Sequence, residues 1–172
     1  MSQTLDKATT SEARLQELFD RQDIAKLTNR LARGLDRHDE ALVESVFWPD
    51  GQINLGPFSG PPSEFAPWAS EAHAKSTLLH QHHITTQNID IDGDTAHVET
   101  YVIVMSRNAE KVQAISGARY IDRAERRDGE WRLALRVFVG EMRLTGECLA
   151  AADFIGRWDR EDISYQRPLP RR

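Results

Sequence analysis

The chain has 172 residues, 40% hydrophobic and 28% charged, with 22 Lys+Arg against 27 Asp+Glu and a formal net charge of −5. That mix fits a globular chain long enough to bury one full core, and its acidic balance argues against nucleic acid as main partner, which calls for a basic stripe to neutralise phosphates. No apolar run approaches the roughly 20 residues of a membrane span, the first residues lack the apolar stretch of a signal peptide, and a single cysteine, Cys148, leaves no intrachain disulfide, so a cytoplasmic setting without membrane contact is expected.

Residues 1–10 are polar and are expected to fray. From about Ser11 the periodicity is helical: Leu15, Leu18 and Phe19 form one apolar stripe, and Ile24, Leu27, Leu31 and Leu35 continue it at spacings of three and four. A short second helix is predicted over 39–47, capped by Asp39 or Asp36. Pro49-Asp50-Gly51 signals a turn, and 52–55 alternates as a short strand. Residues 57–62 read as a loop, and 63–75 as a third helix capped by Ser63, with Phe65, Trp68 and Ala72 on one face.

The second half alternates instead. Strands are predicted over 84–90, 95–105, 112–125 and 131–142, with Asp92-Gly93-Asp94 and Arg127-Asp128-Gly129-Glu130 as hairpin turns. Within 95–105, Ala96, Val98, Thr100, Val102 and Val104 share one face, and His97, Glu99, Tyr101, Ile103 and Met105 the other. Helices followed by an antiparallel meander make an α+β layout, with the sheet curled around the helices as a cone-shaped barrel. The whole of 1–172 reads as one domain. Its tail, 145–172, carries Phe154, Ile155, Trp158 and Tyr165, enough apolar surface to dock near a pocket or an interface.

Four segments resemble one known family. Asp23-Ile24-Ala25-Lys26-Leu27 with Gly34-Leu35-Asp36 resembles its first helix and catalytic aspartate. His82-His83-Ile84-Thr85, leading into Ile89-Asp90-Ile91-Asp92-Gly93-Asp94-Thr95-Ala96, resembles its histidine-bearing strand and hairpin. Arg119-Tyr120-Ile121-Asp122-Arg123 with Arg126-Arg127-Asp128-Gly129-Glu130-Trp131-Arg132-Leu133 is similar to its most recognisable hairpin, and 156–165 to its tails. The family is the SnoaL-like branch of the nuclear-transport-factor-2-like superfamily. The likeness runs over about 12–165. Its relatives include scytalone dehydratase, hexachlorocyclohexane dehydrochlorinase, bile-acid dehydratases and γ-formaldehyde lyases. The resemblance implies the cone fold and an elimination or proton transfer on a bulky ring, without metal or organic cofactor. It also implies a histidine base oriented by an aspartate, and a homotrimer in preference to a dimer. Other members are isomerases, cyclases or non-catalytic modules such as oxygenase small subunits, so fold alone does not settle the reaction.

A cofactor-free elimination needs a base, a group that fixes the base's tautomer, and a donor for the leaving group or oxyanion. The Gly34-Leu35-Asp36 match makes Asp36 the carboxylate. Counting back from the Asp92-Gly93 turn, His82 stands nearest the family's histidine, and His83 replaces it if a bulge shifts the register by one. His80 and His82 share a strand face. The spacing of His80, His82 and His83 matches no separated-pair or helical metal motif, so no metal is expected. Tyr101, Tyr120 and Arg136 sit on central strands as candidate substrate contacts. Arg136 runs opposite in phase to Leu133, Leu135 and Val137 and is assigned equally to pocket or interface. Phe47, Trp48 and Trp68 are candidate walls for an aromatic ring, and Asn54 a candidate polar contact. A tyrosine that some dehydratase relatives place about one turn before the aspartate is absent, since that stretch reads Arg30-Leu31-Ala32-Arg33. Thr100, Val102 and Val104 are expected to line a partly exposed convex face that favours assembly.

Overall fold

The computed structural model describes residues 2–110, 112–147, 159–161 and 165. Cys148, Phe154, Ile155, Trp158 and most of the family-like tail lie outside the described residues. The element order is helix α1 (Ser2–Asp36), α2 (Glu40–Ser45), strand β1 (Phe47–Asn54), β2 (Ser59–Gly60), α3 (Pro62–Ser76), then β3 (Leu79–Asp92), β4 (Thr95–Arg107), β5 (Val112–Arg127) and β6 (Glu130–Glu147). Among the described residues the strands form one six-stranded sheet in the order β2-β1-β6-β5-β4-β3. β3 to β6 are an antiparallel meander, and β1 returns parallel to β6. The α+β class expected from the sequence is the one observed.

α1 is longer than its apolar stripe. Its backbone is helical from Ser2, not frayed to residue 10. Ile24, Leu27, Leu31 and Leu35 are buried, whereas Leu15, Leu18 and Phe19 face solvent. Among the described side chains of α1, those that cover the core start at Asp20. The junction is set by Asp20, whose carboxylate accepts from Trp131 Nε1 at 2.9 Å and from Arg126 Nη1, pinning the helix to the β5–β6 hairpin. The helix ends in a Schellman arrangement: Asp39 N–H donates to Gly34 O at 2.9 Å, His38 N–H donates to Leu35 O, and His38 takes the left-handed conformation at φ 51°. Gly34 lies inside the helix because a Cβ there would meet Val43 Cγ2 at 2.8 Å; its role is close packing against α2. Asp39 caps α2 by accepting from Leu42 N–H.

Two expectations for the first half change. α3 starts at Pro62 and has no side-chain cap, so Ser63 is not the cap; the fixed φ of Pro62 suits a first helical position. Pro49-Asp50-Gly51 does not end β1 but bulges inside it, because pairing with β6 resumes at Gln52 after a register shift.

The faces of β4 alternate as predicted, but the assignment to solvent is reversed. Thr100 is 0% and Val102 1% exposed, so they face the interior. Tyr101, Ile103 and Met105 face out, beside Ile115 of β5 and Met142 and Leu144 of β6. Register shifts at Ile84/Gln87, Gly117/Ala118 and Arg123/Ala124 add curvature. The last shift also changes the phase of β6. Ala134 is the extra residue, so Leu133 and Arg136 both turn inward, and Arg136 is 1% exposed rather than at an outer surface.

Candidate active site

The last turn of α1 meets the first residues of β3. His82 follows the inward phase of its partner Val104, and His83 follows exposed Ile103. Asp36 Oδ1 lies 2.7 Å from His82 Nδ1. The backbone N–H of His82 donates to both Asp36 oxygens at 3.1 Å. The carboxylate is thus held by the residue whose ring it orients. Because a carboxylate accepts, Nδ1 carries the proton, and in a neutral ring Nε2 then keeps a lone pair. The side chains are 6% and 16% exposed, His82 and Asp36 respectively. His83 is exposed and bonds Gln81. Of the two candidate histidines, the structure brings His82 to Asp36.

The pair borders a cavity of about 420 Å³ lined by Asn29, Ala32, Arg33, Asp36, Arg37, His82, His83 and Ile84. That volume suits a small organic molecule, and two guanidinium groups stand at its edge. Behind the pair lies an imidazole cluster that the sequence did not reveal. The His73 and His80 rings are 4.2 Å apart, His80 and His82 5.6 Å, and His38 and His80 5.4 Å. Burial, with the neighbouring His80, His82 and His38, pushes His73 down to about 3; burial likewise lowers His80 to about 4, against the bond it makes to Leu35. Both are neutral near pH 7. His80 sits on the strand face shared with His82, whereas His73 on α3 and His38 at the α1 end carry no local signal.

A second polar group occupies the interior. Arg136 forms a two-bond pair with Asp122, Nε to Oδ1 at 2.7 Å and Nη2 to Oδ2 at 2.6 Å, and stacks 3.9 Å over the Tyr120 ring. Burial raises the Tyr120 phenol to about 12; Arg136 opposes the shift, and Asp122 and Asp36 reinforce it. Tyr120 thus stays neutral, and neither it nor Arg136 is among the residues that line the cavity. Asp36, His80 and His82 are the described residues that can hold a metal, one ligand atom from each lying within 4.8 Å of the others.

A SnoaL-like domain model matches residues 16–137. The chain belongs to the SnoaL-like family. No curated protein sequence matches it. Among solved structures, a protein of Novosphingobium aromaticivorans provisionally assigned as a scytalone dehydratase is 22% identical. That match covers 82% of this chain and 96% of the other, with a TM-score of 0.67. The type-3 hexachlorocyclohexane dehydrochlorinase of Novosphingobium barchaimii is 20% identical over 83% and 98%, TM-score 0.72. A Mycobacterium tuberculosis protein described as of unknown function is 23% identical over 73% and 74%, TM-score 0.66. These likenesses establish the nuclear-transport-factor-2-like cone.

The other candidate residues of this SnoaL-like chain fall away from the Asp36–His82 cavity. Phe47 is in the main core, edge-on to Phe65. Trp68 packs on Phe58 and Phe65. Trp48 lies at the hairpin end between Arg127 and Arg132, its Nε1 donating to Glu125 O. Asn54 is exposed and accepts from Gly56 N–H. Tyr101 is on the outer face beneath Arg119. Residue type alone does not place these side chains at a cavity, and each serves packing or a turn here. Of the described tail, Arg160 pairs with Asp39 at 3.1 Å, and Tyr165 stacks with Arg33 at 4.8 Å, beside the cavity.

Proposed function

We propose that the protein is a cofactor-independent lyase that eliminates water, halide or formaldehyde from an aromatic or polycyclic small molecule. The observation that carries the reading is the 2.7 Å Asp36–His82 contact on the wall of a cavity. In this scheme His82 Nε2 removes a proton from substrate. For water or halide, the released C–H electron pair forms the new double bond and the leaving group departs with its bonding pair, water after taking a proton. For formaldehyde, the proton comes from a hydroxymethyl O–H and its pair forms the C=O; the C–C pair stays on the substrate, where it takes up a proton or forms a double bond as a second group leaves. Asp36 holds the Nδ1–H tautomer and offsets the imidazolium charge that develops. Arg33 and Arg37, which line the cavity with the pair, are the candidate donors to the leaving group or oxyanion. Arg33 and Arg37 at the cavity edge favour an acidic or electron-rich substrate. The dehydratase and dehydrochlorinase descriptions of the structural neighbours support an elimination. An isomerase or cyclase using the same pair differs only in product mass.

The test is turnover of a panel of hydroxylated and halogenated aromatic dimers and polyketide-like rings, read by mass. The expected result is a fixed mass loss with wild type, slowed by about 100-fold or more in Asp36→Asn and His82→Ala, the size of a lost general base, and little changed in His83→Ala. Wild-type turnover surviving in His82→Ala sinks the proposal.

A further inference from the structure

We infer that His80 is a positioning residue for the Asp36–His82 pair: its ring ties Leu35, the residue before Asp36, to β3 and keeps Asp36 Oδ1 for His82. The tie stands on geometry alone, and its consequence for catalysis rests on the lyase reading. β3 is the edge strand of the sheet, where backbone groups are left to meet whatever covers the edge. Here the last turn of α1 does so. Residues i and i+2 of a strand share a face, so His80 and His82 reach the same turn. His82 binds Asp36 through its backbone N–H and its Nδ1–H, and His80 Nε2 stands 3.0 Å from Leu35 O. A carbonyl only accepts, so His80 Nε2 carries a proton and donates it. Two successive residues of α1 are thus held by two alternate residues of β3.

The tie bears on the pair more than on the helix end. Leu35 O is one of the carbonyls that a helix terminus leaves without an intrahelical donor. It also accepts from His38 N–H at 3.3 Å, so it keeps a partner when His80 is replaced. What is then lost is the lateral hold of β3 on α1 beside Asp36. His80 Nε2 also stands 3.8 Å from Asp36 Oδ1, the oxygen that His82 Nδ1 meets at 2.7 Å. The longer spacing lies outside hydrogen-bond range. Leu35 O therefore draws the His80 N–H away from the oxygen that orients His82. The ring is 2% exposed, and it lies 4.2 Å from the His73 ring and 5.4 Å from the His38 ring. Packed in this way it has little room to turn from Leu35 O to Asp36, so the carboxylate keeps one imidazole partner rather than two.

The test is nitrogen-15 NMR of full-length, histidine-labelled wild type, His80→Gln and His80→Asn. A glutamine amide nitrogen sits where Nε2 does and can donate to Leu35 O; an asparagine amide ends near the place of Nδ1, out of reach. Wild type should show His80 protonated at Nε2 and a His82 Nδ1–H protected from exchange with water. His80→Asn should speed that exchange by about tenfold or more, and His80→Gln should restore the protection. A histidine that serves only packing would lower the thermal midpoint in His80→Asn and leave His82 Nδ1–H as protected as in wild type, and that result overturns the inference. Equal exchange in His80→Gln and His80→Asn overturns it too, as does a wild-type His80 protonated at Nδ1 alone, a readout that needs no variant to fold. In the mass-loss assay His80→Asn should lower turnover by about 10- to 100-fold, the cost of a slightly misplaced base. Turnover lost in His82→Ala, with His82 exchange unchanged in His80→Asn, would keep the base and remove the role of His80. Protection that depends on His80 in a protein whose turnover survives His82→Ala would keep the tie and remove the lyase reading.

Discussion

A carboxylate in the last turn of a helix faces the negative end of the helix dipole. Asp36 is in that position, and donors from the facing strand offset the cost: the His82 backbone N–H and its ring Nδ1–H. In the proposed function, catalysis and stability therefore draw on the same few atoms. The Arg136–Asp122 pair follows a related logic, since both side chains are out of water. Removing one partner strands a buried charge, a loss of about 3–5 kcal/mol. Asp122→Asn should thus lower the midpoint of urea unfolding sharply, while an exposed pair such as Lys26–Asp23 should show almost no effect when broken. An equal, small effect at both places would contradict the buried pair. At this scale the sequence pointed to Asp36 and to His82 or His83 as its partner, and the contact is with His82. The sequence left Arg136 open because the bulge at Ala134 resets the alternation, and a two-residue period cannot be carried through an extra residue.

At the scale of elements, position depends on close contacts rather than on propensity. Gly34→Ala would ordinarily strengthen a helix by about 1 kcal/mol. Here the added methyl meets Val43 Cγ2 at 2.8 Å and Val43 N at 3.1 Å, so a net loss of roughly 1–3 kcal/mol is expected. Because Asp36 lies two residues on, the displaced helix end should also lower turnover. A raised thermal midpoint for Gly34→Ala would show that α1 and α2 give way at that contact. The strands of the meander were legible because they alternate between turns, two of which carry a glycine, Gly93 and Gly129. Asp128 and Gly129 both adopt positive φ, as the tight hairpin requires. β1 was less legible, since proline and glycine mark a bulge as readily as a turn. The polar start of α1 carries no apolar face that signals a partner, so its helical backbone is not legible in the sequence.

At the scale of the whole molecule, the outer sheet face exposes a group of large apolar side chains among the described residues. Met105, Ile115 and Leu144 lie side by side across three strands, and Ile103 and Met142 flank Gly117 in the next row. We propose that copies of the chain associate through this face as a homotrimer or dimer, because apolar patches of such extent are uncommon on monomers. Sedimentation should give a multiple of the 19.6 kDa chain, and Ile115→Glu with Met142→Glu should reduce it to one; a wild-type monomer would contradict the assembly. The wrong side of the sheet was expected to be exposed because alternation gives two faces without saying which one the helices cover. The polar residues Thr28, Gln87 and Thr100 bond one another inside, so polarity alone did not identify the outer face.

The measurement that reaches the central claim most directly is nitrogen-15 NMR of histidine-labelled protein after chelator treatment, with His82 assigned by the signal lost in His82→Ala. The account predicts that His82 is protonated at Nδ1, with Nε2 free, and that Asp36→Asn changes its signal more than that of any other histidine. A His82 ring protonated at Nε2, or one indifferent to Asp36→Asn, would contradict an Asp36-oriented base.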